Sequence, residues 1–389
     1  MTKKFHLLFQ NFLKIKLYYF LLIIIFVILI IFLKMDNSLN IKKIDNLPQY
    51  SISGFDTSYG VGVNHKGDIY IPDFKLGYIF VIKNSFKEKY VLNFENEKLK
   101  KVKFFNKFIF SKVFKIRGNF KRIHDIYFDK DDNMYVTDMG IGDNKGEGLL
   151  YIFDPNLNLL GKIGLNSHYK KGLISPVMSS YNKSKIFISE WGASKILIFN
   201  NKYKFLGWIG ELDKITTQIK SDYWLKEKQI LDINLNSPHA IKFDEYNNIY
   251  IVDSNNHRIL KLSENFEFQG FVGKYSQKVV ESKWKRELQT TFSGDELGAF
   301  DTPVGLEIYN NYIYVADCFN NRIIKMNLEG EFMGILSFDK RKNKFFWSKK
   351  NEDKINLNNP YAITIVNDNL YIADKNNKKI QILSFENFY

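Results

Sequence analysis

Two histidines share one place in a repeated pattern. His124 and His239 each stand 11 residues before the tyrosine of a recurring phrase, Tyr135 and Tyr250 respectively. Imidazoles that ionise near neutrality ligate metals and carry protons, so a pair held in one register is a candidate centre. A catalytic zinc takes three protein ligands and keeps a fourth position open. Asp125, next to His124, is the candidate third ligand. Zinc or calcium would be the metal of such a set. Without a third donor no cofactor is expected, and the histidines cap strands. His168 and His257 fall in turns and read as solvated. No G-x-S-x-G elbow, P-loop or H-E-x-x-H helix occurs, so the chemistries those motifs carry are not expected.

A second constellation is electrostatic. From 98 to 122 the chain carries Lys98, Lys100, Lys101, Lys103, Lys107, Lys112, Lys115, Arg117, Lys121 and Arg122, with no acid. Phe104, Phe105, Phe108, Phe110, Phe114 and Phe120 are interleaved. Such a stripe suits an anionic polymer or membrane headgroups. As a plain solvated face it would do nothing more. Trp224, Trp284, Phe345, Phe346 and Trp347 gather in other connections, either as a binding rim or as lids over strand edges.

What must position these residues is a repeat. Tyr70-Ile-Pro-Asp73, Tyr135-Val-Thr-Asp138, Phe187-Ile-Ser-Glu190, Tyr250-Ile-Val-Asp253, Tyr314-Val-Ala-Asp317 and Tyr371-Ile-Ala-Asp374 are six copies of one phrase. Each is followed by a polar turn and an apolar strand. Most are preceded by an alternating strand such as Pro238-His-Ala-Ile-Lys-Phe243. Self-similarity of this kind marks a radial array of small antiparallel sheets. The expected fold is all-β, a six-bladed propeller of four-stranded antiparallel blades over residues 44–389. Its last copy lacks a fourth strand, and residues 44–53 are expected to supply it and close the ring. An acid that recurs once per blade, as Asp73, Asp138, Glu190, Asp253, Asp317 and Asp374 do, reads as a turn residue bonding backbone amides. The surplus length lies in connections near 95–122, 211–237, 274–302 and 338–359, where function tends to concentrate.

The chain has 389 residues and a net charge of +14. The uncharged run Leu17 to Leu33, bounded by Lys16 and Lys34, would be about 25 Å long as a helix and reads as an uncleaved signal anchor. Lys3, Lys4, Lys14 and Lys16 precede it, so residues 1–16 are expected in the cytoplasm and the large domain outside, with 34–43 as a linker. The lone Cys318 rules out an intramolecular disulfide. The first 34 residues hold five of the basic residues and no acid. The outer part therefore keeps an excess of 9 positive charges, 51 against 42, and favours anionic partners.

The copies at 238–273, 303–336 and 360–385 resemble NHL repeats. Asp253-Ser-Asn-Asn-His-Arg-Ile259 and Asp317-Cys-Phe-Asn-Asn-Arg-Ile323 carry that likeness, with a glycine-rich lead-in at Gly294 to Pro303. The second and third copies depart from the pattern. The resemblance implies a propeller whose first strands line a central channel, and it spans functions from RNA and protein binding to one lyase. The lyase domain of peptide-amidating enzymes is similar and holds zinc through axial histidines; here only His124 and His239 match. The expected function is therefore binding of a protein, peptide or anionic envelope polymer near a membrane, with nucleic acid last among partners. The alternative is a metal-dependent lyase or hydrolase in the channel.

Overall fold

The computed structural model describes residues 40–43, 49–86, 88–96, 98–102, 119–140, 147–164, 173–211, 229–275, 284–286, 291–339, 341–350 and 354–388. These form six sheets arranged as the blades of a propeller. The first strands of five blades are Ile123–Phe128, Pro176–Asn182, Pro238–Phe243, Pro303–Tyr309 and Pro360–Val366, and the first blade contributes the short Gly62–Val63. Each lies beside the first strands of both neighbouring blades, which closes the ring around a channel.

The repeated phrase has a physical cause. Its tyrosine donates to an aspartate in the preceding turn: Tyr135 Oη lies 3.1 Å from Asp129 and Tyr250 Oη 3.0 Å from Asp244. The same aspartates accept the backbone N–H of Asn133 and Asn248, so one carboxylate shapes the hairpin and anchors the next strand. Asn247 takes a φ of 63° there, a conformation asparagine tolerates. Middle strands such as Tyr78–Ile82 are buried along their whole length because adjacent blades cover both faces. Ile79 and Val81 pack with Ile126 and Val136 of the next blade, and Ile196 and Ile198 with Ile249 and Phe271.

The acids that end the phrases are all buried. Each reaches back to the connection that enters its own blade. Asp73 accepts the N–H of Asp56 at 2.8 Å, Asp138 those of Lys121 and Arg122, and Glu190 those of Ile174 and Ser175. Asp253, Asp317 and Asp374 accept those of Asn236, Asp301 and Asn358. In blades four and five an arginine completes the arrangement: Arg258 and Arg322 each place Nε 2.7 Å from the carboxylate. In blade six Gln381 takes that part.

Two features differ from the sequence expectation. Five of the six sheets have five strands rather than four; blade two alone has four. The extra strands are Lys98–Val102, Gln229–Leu231, Thr291–Phe292, Lys344–Ser348 and Asn40–Lys43, and Gln229–Leu231 runs parallel to its neighbour. Each covers what would otherwise be an open sheet edge. The propeller also begins earlier than 44. Gln49–Ser53 pairs antiparallel with the last strand, Lys379–Ser384, and Asn40–Lys43, placed by sequence in a linker, pairs outside it. The expected membrane segment 17–33 lies outside the described residues, and no described helix is long and apolar enough to cross a bilayer.

Candidate functional site

Every full-length first strand is bulged near its start, at Ile123/Asp125, Pro176/Met178, Pro238/Ile241, Pro303/Leu306 and Pro360/Ile363. A bulge re-aims side chains, and here it turns the second residue of the strand towards the axis. His124 and His239 meet there with ring centroids 6.3 Å apart. Tyr361, at the same place in blade six, lies edge-on to both, at 5.5 and 5.6 Å. Tyr59, leading into blade one, stacks on His124 and meets Tyr361, each at 4.9 Å. These four rings plug the channel.

Their hydrogen bonds fix the tautomers. His124 Nδ1 lies 2.9 Å from the carbonyl of Val177, which only accepts, so Nδ1 carries the proton. His239 Nδ1 faces the carbonyl of Ser237 at 3.0 Å and Ser254 Oγ at 2.8 Å, so its Nε2 accepts the hydroxyl proton of Tyr361 across 2.9 Å. Burial holds both imidazoles neutral. It takes His239 down to about 4, and burial together with His239 takes His124 well below the ordinary range. His124 is 3% exposed, and its Nε2 lone pair meets no protein group among the described residues.

Above the plug lie residues that follow the turn carboxylates. Phe74 packs on Tyr59 at 4.9 Å. Lys375 sets its ammonium over the faces of Tyr59 and Tyr361, at 4.4 and 5.3 Å, and pairs with no carboxylate among the described residues. Cys318 is buried, and burial pushes its thiol up to about 12, so it is an un-ionised neighbour. Arg122 lies 5.7 Å from Phe74 and donates to the carbonyl of Gly140. Trp191 and Phe319, at equivalent turns of blades three and five, are exposed.

One residue further along the same strands the channel widens into a well of about 200 Å³, lined by Asp125, Tyr127, Ser179, Lys242, Glu307 and apolar residues from the six blades. Lys242 and Glu307 pair across 2.8 Å. Burial pushes the Asp125 carboxyl up to about 7, against the pull of Lys242. Gly60 makes room for it: a Cβ there would stand 2.3 Å from the Asp125 carboxylate.

The structure therefore brings His124 and His239 together and sets Asp125 in the wall of the well. These donors do not fit a zinc centre. His239 Nε2 is taken by Tyr361, both Nδ1 atoms face carbonyls, and no three His, Cys, Asp or Glu side chains converge among the described residues. The basic stripe divides. Lys98, Lys100 and Lys101 lie on the outer strand of blade one, where Lys101 stands 4.3 Å over Tyr90. Lys121 and Arg122 lie where the chain enters blade two, and Lys121 pairs with Glu147 at 3.3 Å. Lys103, Lys107, Lys112, Lys115 and Arg117 lie outside the described residues, as do Trp224 and His168. Phe345 is buried, and Trp284 and Trp347 pack against the core clusters. His257, read as solvated, accepts the N–H of Thr302 at 3.0 Å, because its turn faces the connection into the next blade. Sequence reasoning missed Tyr59, Tyr361 and Lys375. The register that aligns the histidines also runs through Tyr361, but a tyrosine there does not read as a metal ligand.

Residues 235–262 match the NHL repeat. No curated protein matches the sequence. Among solved structures, an auxiliary nutrient binding protein from Bacteroides thetaiotaomicron is 13% identical, with a TM-score of 0.52 over 85% of this chain and 69% of that one. A structural genomics protein of unknown function from the same species is 15% identical, with a TM-score of 0.52 over 84% and 69%. Virginiamycin B lyase from Staphylococcus aureus is 12% identical, with a TM-score of 0.47 over 85% and 95%. At these identities the likeness is one of fold.

Proposed function

We propose that the protein is a binding module, held at a membrane by residues 17–33 with its propeller outside the cytoplasm, that takes an anionic group of a protein, peptide or envelope polymer onto the side of the plug where Phe74 and Lys375 lie, termed here the funnel. The observation that carries this reading is Lys375. Its ammonium is held in place by two tyrosine faces, with no carboxylate to neutralise it among the described residues. Beside it the Nε2 of His124 offers a hydrogen-bond acceptor from a buried, neutral ring. An anion would pair with the lysine, a neighbouring N–H or O–H of the ligand would bond the imidazole, and the rings would pack against its body. The positive balance of the chain outside the first 34 residues would draw such ligands in.

The test is binding of polyglutamate, with polylysine as control, to the full-length chain in detergent micelles. Lys375→Met is expected to weaken polyglutamate binding roughly tenfold, the loss of one charge-assisted contact, with an unchanged melting temperature. Equal affinity in the variant overturns the assignment of the funnel.

A further inference from the structure

The well on the far side of the plug is a different chemical environment from the funnel. It opens at the mouth where His65, Phe128 and Val366 lie, and it has room for a small organic molecule. Its charges do not balance. Lys242 is committed to Glu307 at 2.8 Å, which leaves the carboxyl of Asp125 without a cation of its own in the same wall. Ser179, 6% exposed, lines the well, and its hydroxyl has no hydrogen-bond partner among the described residues. The remaining wall is apolar, with Val61, Ile241, Leu306 and Ile363 contributed by different blades. A bare metal ion suits this poorly, since the oxygen donors do not converge into a three-ligand group. An apolar wall with a few placed polar groups is how small-molecule sites are built.

We propose that this well binds a small organic cation, an amine with a compact apolar body whose ammonium group sits on Asp125. The apolar body lies against the Leu306 and Ile363 side of the well, and the Ser179 hydroxyl accepts a second ammonium proton. The Lys242–Glu307 pair stays in place beside it.

The probe is cyclohexylamine, with cyclohexanol as its neutral counterpart, titrated calorimetrically into the full-length chain in detergent micelles at a pH where the amine is charged. Saturable binding of the amine and none of the alcohol is expected. Asp125→Asn should weaken the amine roughly tenfold or more. Ala362→Phe, which fills the well from blade six, should abolish it even if Asp125→Asn folds poorly. Lys375→Met should leave amine binding unchanged, which separates this site from the funnel. Absence of saturable binding in the parent, or equal binding by well-folded Asp125→Asn, overturns the proposal.

Discussion

Asp317 is a fully buried carboxyl group and Asp125 a half-buried one in the channel wall, and they are treated in opposite ways. Asp317 receives Arg322 Nε, Asn320 Nδ2 and the N–H of Asp301. Arg322 in turn donates to three carbonyls, those of Asp295, Glu296 and Ala299. Asp125 has a lysine nearby that is paired elsewhere, and it faces open space. A carboxylate saturated by its own fold has nothing left to offer a ligand, so the turn ring is architecture. One left short of partners, as Asp125 is in the wall of the well, has its interactions still to make. Glu190 stands between the two cases. Its Oε2 accepts two backbone N–H groups, while its buried Oε1 has no hydrogen-bond partner among the described residues, and no arginine accompanies it in its blade.

The largest effect should come from breaking a saturated turn. Arg322→Met takes the guanidinium from a buried carboxyl that burial already pushes up to about 6, and should cost about 3–5 kcal/mol in chemical denaturation. A cost below about 1 kcal/mol would remove the distinction between turn and channel carboxylates. Glu190→Gln should have a smaller, pH-dependent effect. Burial raises Glu190 from an ordinary 4.5 to about 7, so the native state holds its proton more tightly than the unfolded chain does. Its ionisation therefore costs nothing below about 4.5. The cost grows as pH rises to about 7 and is complete above that. The glutamine variant should gain stability over the parent across that window, by on the order of 1–3 kcal/mol, then level off. A flat difference between pH 4 and 8 would show that Glu190 is as well served as Asp317. The smallest effect belongs to the plug. Tyr361→Phe removes one hydrogen bond to His239 and should cost about 0.5–1.5 kcal/mol. Proton NMR should show the His239 ring signals shifting while those of His65, at the other mouth, stay put.

Much of the fold was readable from the chain because each blade repeats its own instructions. Tyr135 and Tyr250 recur for the sake of Asp129 and Asp244, and the turn acids recur because each blade must hold its incoming connection. The outer strands were not readable. Thr291–Phe292 is two residues long and Gln229–Leu231 pairs in parallel, so neither shows the alternation that marks a half-buried strand. At the site, the shared register brought His124 and His239 to attention. It did not separate His124 from Asp125, because the bulge that points one at the plug and the other at the well is a property of the backbone, not of residue type. Lys375 was passed over because lysine is common in this chain, and what sets it apart is the pair of rings beneath it.

The sheet of the sixth blade joins Gln49–Ser53 to Lys379–Ser384, two segments far apart in one polypeptide. During synthesis the early segment emerges first and waits for its partner. At typical translation rates the roughly 330 residues between them take on the order of half a minute to appear. For that interval the nascent chain presents an unmatched β-edge, the kind of surface that other strands and chaperones recognise. Closure of this ring is thus timed by the synthesis of Lys379–Ser384, and a ribosome that stalls shortly before Lys379 would leave a chain whose other five blades have their sequence complete and whose ring cannot shut.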